Sequence, residues 1–163
     1  MHCLLSSSRF LRVLDLHGIS VKSLPEAVGH LIHLRYITLN TVEQVPRSLE
    51  KLSSQQTLQI TYLEGSLPSG FSKTQSLRCL SVSHTSLKVP NKMGDLMSLQ
   101  KLKGVWADSK FIRYLVNLTQ FQTLVIRIEK SEDGRALCRS IQRMLHSFPY
   151  TYSPLVIVAL SKK

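Results

Sequence analysis

A period of 21 or 22 residues, marked by proline, runs through the first half of the chain. The dipeptides that mark it are Leu24-Pro25, Val45-Pro46, Leu67-Pro68 and Val89-Pro90. A unit this short cannot bury its own apolar side, so it is stable only when it stacks on similar units. The period therefore predicts a solenoid.

Apolar triplets with the spacing L-x-x-L-x-L accompany this period. Sixteen of their eighteen positions are apolar, and only Gln55 and Gly104 are not. Because 43% of all residues are apolar, random placement would fill about eight of these positions. The triplets are Leu11, Leu14 and Leu16; Leu34, Ile37 and Leu39; Gln55, Leu58 and Ile60; Leu77, Leu80 and Val82; Leu99, Leu102 and Gly104; and Phe121, Leu124 and Ile126.

The triplets predict short parallel strands, one in each repeat. A proline after the strand fixes φ and removes a backbone donor, so the next segment must turn to the opposite side. Apolar residues there recur at helical intervals, as at Val28, Leu31 and Leu34. We predict an α/β repeat solenoid, a horseshoe arc with a concave parallel sheet of about six to seven short strands and irregular or helical convex segments.

Two longer helices are predicted on the convex side. The first begins at Asp108 or Ser109, either of which can cap it, and the second spans residues 131–145. A seventh strand is expected to follow, with the triplet Tyr152, Leu155 and Ile157. The apolar faces of the two helices are Phe111, Leu115 and Leu118 in the first, and Leu137, Ile141, Met144 and Leu145 in the second.

The length predicts a single domain over residues 1–163, because a chain of this size can form one continuous core. Solenoids protect their terminal repeats with polar caps. Here Leu4, Leu5 and Phe10 lead directly into the first strand. We therefore expect a fragment of a longer protein, without its caps.

Cysteine usage and hydropathy favour a cytoplasmic protein. Cys3, Cys79 and Cys138 are an odd number without a C-x-x-C pair, which predicts reduced thiols in a reducing compartment. The first residues lack the apolar run and cleavage pattern of a secretory signal. No stretch approaches the length of a membrane span, so none is expected.

Segments 9–16 and 24–37 read RFLRVLDL and LPEAVGHLIHLRYI, and they resemble the early leucine-rich repeats of plant intracellular disease-resistance proteins. Segments 104–108 (GVWAD) and 137–141 (LCRSI) are similar to the coiled-coil, nucleotide-binding class of cereals. The resemblance implies a receptor part that holds a nucleotide-binding switch inactive and helps to sense pathogen effectors. No G-x-x-x-x-G-K-[ST] phosphate loop occurs, so no nucleotide or other cofactor is expected.

Two alternatives stay open. Extracellular plant repeats share the leucine spacing but typically carry asparagine at the ninth repeat position, which is occupied here by Ile19, Val42, Leu63 and Thr85. A generic intracellular leucine-rich-repeat scaffold for signalling proteins would show the same repeats. A coiled-coil and nucleotide-binding region encoded upstream would favour the receptor.

Charge points to an acidic protein partner. Twenty-one Lys and Arg against ten Asp and Glu give a net charge of +11, and complementary potential speeds and orients association. The resemblance implies the acidic surface of the protein's own switch domain or a pathogen effector. Nucleic acid is not expected, because stacking platforms and a reading helix are missing. The candidate protein-binding residues are Tyr36, Thr38, Lys101, Lys103, Trp106 and Arg127, and Val105 is predicted to face outward beside them.

Catalysis and metal binding are not expected. Serine, histidine and acidic residues form no nucleophile elbow or pair of carboxylates. His30 and His33 are spaced to share a metal, but no carboxylate or thiol stands at ligand spacing beside them. The sequence predicts a binding domain.

Overall fold

In the described residues, seven strands form one parallel sheet in which each strand pairs with the next along the chain. The computed structural model describes residues 8–84, 87, 92–118, 120–128, 131–147 and 156–161. In the first six predicted triplets the fourth and sixth residues lie in the strands and are Cα partners across adjacent strands, except Gly104, which confirms the repeat solenoid. The strands are β1 (Val13–Ser20), β2 (Tyr36–Val42), β3 (Thr57–Leu63), β4 (Cys79–His84), β5 (Lys101–Trp106), β6 (Thr123–Ile128) and β7 (Val156–Ser161).

Short 3₁₀ helices return the chain along the convex side. Pro25 and Pro46 each precede such a helix with φ −66° and ψ 148°, so they end the extended segment and start the turn. The Val89-Pro90 dipeptide lies outside the described residues. The 3₁₀ helices are Glu26–His30, Arg47–Lys51, Ser69–Lys73, Met93–Asp95 and Leu115–Asn117.

The described part of the convex side also holds two α-helices, α1 (Ser109–Tyr114) and α2 (Ser131–Ser147). The backbone N–H of Phe111 donates to Asp108 Oδ1 at 2.8 Å, so Asp108 is the cap of α1. The predicted first helix is divided, because a 3₁₀ turn begins at Leu115. The second helix begins at the predicted residue, Ser131, and ends two residues later than expected.

The core lies between the sheet and the convex helices. Ile37 and Leu39, the fourth and sixth residues of the L-x-x-L-x-L triplet on β2, are fully buried. Each buried side chain of this size contributes about 1.5–3 kcal/mol to the stability of the fold. On β1, Leu14 and Leu16 are only partly buried, because β1 is the first strand of the sheet. Burial is thus supplied mainly by the neighbouring repeat, as a solenoid requires.

Gln55 is polar, but it occupies the same buried position as the first leucine of the neighbouring triplets. Its side chain is 0% exposed, in the place that Leu34 and Leu77 hold in their repeats. Neither amide atom has a hydrogen-bond partner among the described residues. The third repeat therefore carries an unpaired polar group in its core, which costs free energy.

Gly104 is the second triplet position that is not apolar, and it lies in an irregular part of β5. Its conformation overturns the prediction that Val105 faces outward. Gly104 has φ +83°, and the register between β5 and β6 shifts between Lys103 and Val105. Such a β-bulge inserts one unpaired residue. Val105 therefore enters the core, where it is 0% exposed, and Trp106 takes the next outward position.

The predicted register of the seventh strand was also wrong. Val156 and Ile157 pair with Thr123 and Leu124, so Ile157 occupies the fourth triplet position and not the sixth. Tyr152 and Leu155 lie outside the described residues. The error arises because α2 replaces the short convex segment of earlier repeats, and no proline immediately precedes α2 to mark the distance to the next strand.

Carboxylates join consecutive convex helices. Glu26 accepts hydrogen bonds from the backbone N–H groups of Arg47 (3.2 Å) and Ser48 (2.9 Å), which begin the next 3₁₀ helix. Glu50 accepts one from Gly70 at 2.8 Å. These contacts satisfy donors that the start of a helix leaves unpaired, so the acidic residues connect the repeats on the convex side.

Candidate protein-binding surface

Strand pairing arranges the outer face of the sheet, which is the face opposite the core, in rows across the strands. The residues of each row are Cα partners in successive strands. The first row is Val13, Tyr36, Thr57, Cys79, Lys101 and Thr123, and the central row is Asp15, Thr38, Gln59, Ser81, Lys103 and Val125. This is the face that was predicted to be concave.

Four of the six candidate residues lie together on β5 and β6. Lys101 and Lys103 are exposed, and Trp106 and Arg127 are half-buried Cα partners. Arg127 reaches across β5, where its Nη2 donates to the carbonyl oxygen of Ser83 on β4 at 3.3 Å. These four residues, which we call the cationic group, combine three positive charges with one large aromatic ring.

The other two candidates lie on β2. The Tyr36 hydroxyl donates to Gln59 Oε1 at 3.3 Å. Thr38 lies on the outer face yet is only 6% exposed, and its hydroxyl has no hydrogen-bond partner among the described residues. This part of the outer face is neutral and suited to hydrogen bonding.

The predicted residues therefore form two groups and not one cluster. Three strand steps separate β2 from β5, which is about 14 Å at the usual strand spacing. A single small ligand does not reach both groups, whereas a protein segment does. The surface thus has the dimensions of a protein-binding site.

Trp106 was predicted as a candidate residue, but the reason why it faces outward was not predicted. The signal was present, because a glycine inside a strand often marks a bulge. Asp15 and Gln59 flank Thr38 in the central row but are not among the candidate residues. Their pairing with Thr38 on either side becomes evident only from the register.

Cys79 lies next to the cationic group. It is the Cα partner of Lys101 and is half-buried. Burial raises the pKa of the Cys79 thiol, and the charges of Lys101 and Lys103 partly oppose this increase. The thiol is therefore mostly protonated at neutral pH and a poor nucleophile there.

Two further features concern metal ligands and membrane-spanning helices within the described ranges. No three histidine, cysteine or acidic side chains there come together in a way that could hold a metal ion. None of the helices in the same part of the chain is long and apolar enough to cross a membrane.

A parallel sheet with one strand per repeat and an open outer face defines a leucine-rich-repeat solenoid. The chain belongs to the leucine-rich repeat region family, whose model matches residues 1–151. A solved leucine-rich-repeat protein of Leptospira interrogans superposes with a TM-score of 0.68 and 21% identity, over 86% of this chain and 37% of that one. This similarity to a solved structure concerns the fold alone.

The similar curated proteins carry disease-resistance names. The Arabidopsis thaliana protein "Probable disease resistance protein At1g59620" is 28% identical over 156 residues, which are 90% of this chain and 18% of that protein. "Probable disease resistance protein RF9" from the same plant is 31% identical over 139 residues, 80% of this chain and 13% of that protein. The chain spans less than a fifth of the length of these relatives.

Proposed function

We propose that residues 1–163 form a single domain that serves as the recognition and autoregulatory module of a plant immune receptor. The receptor belongs to the coiled-coil, nucleotide-binding class of the cereal type, and the domain works in the cytoplasm. It acts by binding a protein and not by catalysis. Its partner is the acidic surface of the receptor's own nucleotide-binding switch domain or of a pathogen effector.

The cationic group is the observation that carries this proposal. The outward positions described on β4, β5 and β6 include Lys101, Lys103 and Arg127 and no acidic residue. Both lysines are exposed, so a partner that covers them must supply negative charge. The disease-resistance relatives support the biological setting.

The transcript that encodes this chain tests the receptor assignment. The proposal requires a nucleotide-binding region encoded in the same transcript. A complete transcript that encodes the repeats alone would overturn the assignment in favour of an intracellular signalling scaffold.

Charge reversal tests the binding surface. The double variant Lys101→Glu/Lys103→Glu should bind the nucleotide-binding region about tenfold more weakly than the unaltered repeats in a calorimetric titration, because two attractions become repulsions. The matched control is Lys73→Glu/Lys110→Glu, which changes the net charge equally at exposed convex positions. Equal affinities of the two double variants would remove the cationic group from the interface.

A further inference from the structure

The central row carries a negative charge at Asp15 and a positive charge at Lys103. Asp15 on β1 and Lys103 on β5 are both exposed. They are connected through an unbroken series of Cα partners, Thr38, Gln59 and Ser81. The residues between them are neutral, so the charge along this row changes from negative on β1 to positive on β5.

The interior of the row is also suited to hydrogen bonding with a polypeptide. The Thr38 hydroxyl is buried and has no partner among the described residues, and a buried unpaired polar group is costly until a partner arrives. Gln59, which is half-buried beside it, already accepts a bond from Tyr36. Hydroxyl and amide groups can bond both the N–H and the C=O of a bound backbone.

The distance from Asp15 to Lys103 matches the length of a short extended peptide. Four strand steps separate Asp15 from Lys103, which is about 19 Å at the usual spacing. An extended chain rises about 3.3 Å per residue, so about six residues cover this distance.

We infer that the central row binds an extended segment of a partner protein, with a basic residue over Asp15 and an acidic residue about six positions away over Lys103. This inference rests on the proposed function, that the outer face binds protein, and adds the composition and orientation of the bound segment. Complementary charges at both ends fix orientation, because the reversed placement brings like charges together.

The test uses two fluorescent eight-residue peptides with neutral Ser, Gly and Asn between the charges. The base–acid peptide has Lys at its first position and Asp at its seventh, and the acid–acid peptide has Asp at both. Fluorescence polarisation gives the two dissociation constants at 150 mM salt, where attraction beyond about 8 Å is largely screened. The informative quantity is their ratio, because the net charge of the chain favours every acidic peptide.

Substitution of Asp15 should invert the preference. Asp15→Lys is expected to shift the ratio about tenfold toward the acid–acid peptide, because attraction and repulsion exchange places. Asp15→Asn should give an intermediate shift, and it keeps a side-chain oxygen to accept the backbone N–H of His17, now 3.0 Å from Asp15 Oδ1. The control Asp95→Lys, at an exposed convex position, should leave the ratio within about twofold.

The outcomes separate this inference from the proposed function. Equal ratios for Asp15→Lys and Asp95→Lys would overturn the inference, and so would failure of both peptides to bind while the nucleotide-binding region still binds. Either result leaves the proposed function intact if reversal of Lys101 and Lys103 still weakens that binding. Circular dichroism of each variant identifies loss of structure, and the smaller substitution Asp15→Asn still tests the inference if Asp15→Lys is unfolded.

Discussion

The backbone of Gly104 on β5 lies against the carbonyl oxygen of Val82 on β4, and a Cβ atom at position 104 would overlap that oxygen. The bulge at Gly104 is what directs Val105 into the core and Trp106 to the outer face. A backbone detail of one residue thus decides which side chain joins the cationic group.

Gly104→Ala should destabilise the domain by more than the cost of placing an alanine in the left-handed backbone conformation. The cost of φ +83° for a residue with a Cβ is about 1–2 kcal/mol, and the overlap with Val82 adds to it. Gly18→Ala is the matched control, because Gly18 has φ +79° with no atom within 4 Å of its Cβ position. Urea unfolding measures both variants, and equal losses of stability would contradict the close contact.

Gln55→Leu should stabilise the domain by about 1–3 kcal/mol, because it removes an unpaired amide from the core. Leucine already occupies the equivalent position in the neighbouring repeats, at Leu34 and Leu77. The measurement is the free energy of unfolding in urea. Gln56→Leu, at the half-buried neighbouring position, should have a smaller effect; a loss of stability in Gln55→Leu would show that the amide is satisfied.

Glu26 should make stability depend on pH. The neighbouring Ser48 hydroxyl lowers the pKa of Glu26 most, although it does not meet hydrogen-bond geometry; the backbone N–H groups of Ser48 and Arg47 lower it further. The folded-state pKa is therefore below the unfolded one, so this stabilisation is present above about pH 4.5 and is lost as the pH falls through the folded value. Glu26→Gln should weaken the domain at pH 7 and match it in strong acid.

The control for this prediction is Glu64→Gln, which removes the same charge from another exposed position. Thermal unfolding between pH 7 and pH 2 follows both variants and the original chain. A difference between Glu26→Gln and the original chain that stays constant over this range would contradict a role for the ionised carboxylate.

Cys79 should react slowly with thiol reagents, and the cationic group should control its rate. Burial raises the pKa of Cys79, while Lys101 and Lys103 lower it, so replacing both lysines with glutamine raises the pKa further and leaves less thiolate. In a variant that keeps Cys79 as its only cysteine, we expect slower labelling by iodoacetamide at pH 8 after this replacement. Faster or unchanged labelling would contradict the proximity of the lysine charges.

Asp108→Ala should destabilise the domain by about 0.5–2 kcal/mol, because the N–H of Phe111 loses its partner at the start of α1. Asp108→Asn keeps an accepting oxygen and should retain most of the stability. Urea unfolding compares the two variants. Equal losses would mean that the charge, and not the hydrogen bond, supplies the stabilisation.

Most of the fold could be predicted from local patterns. The leucines of each triplet and the proline dipeptides repeat because every repeat meets the same surroundings, so one pattern predicts the strand, the turn and the buried side of each unit. Leu58 and Ile60, for example, are buried as expected. Asp108 could be proposed as a cap because helix starts depend on a few adjacent residues.

The binding surface depended on more than the local pattern. Residue type and alternation placed Lys101, Lys103 and Arg127 on the outer face. The exposure of Trp106 and the burial of Val105 depended on a bulge, because an extra residue in one strand reverses the face of every residue that follows it. Likewise, the alignment of Asp15 and Lys103 in one row comes from the pairing of five strands. The sequence determined the repeating unit, whereas tertiary packing decided which side chains of different repeats stand next to one another.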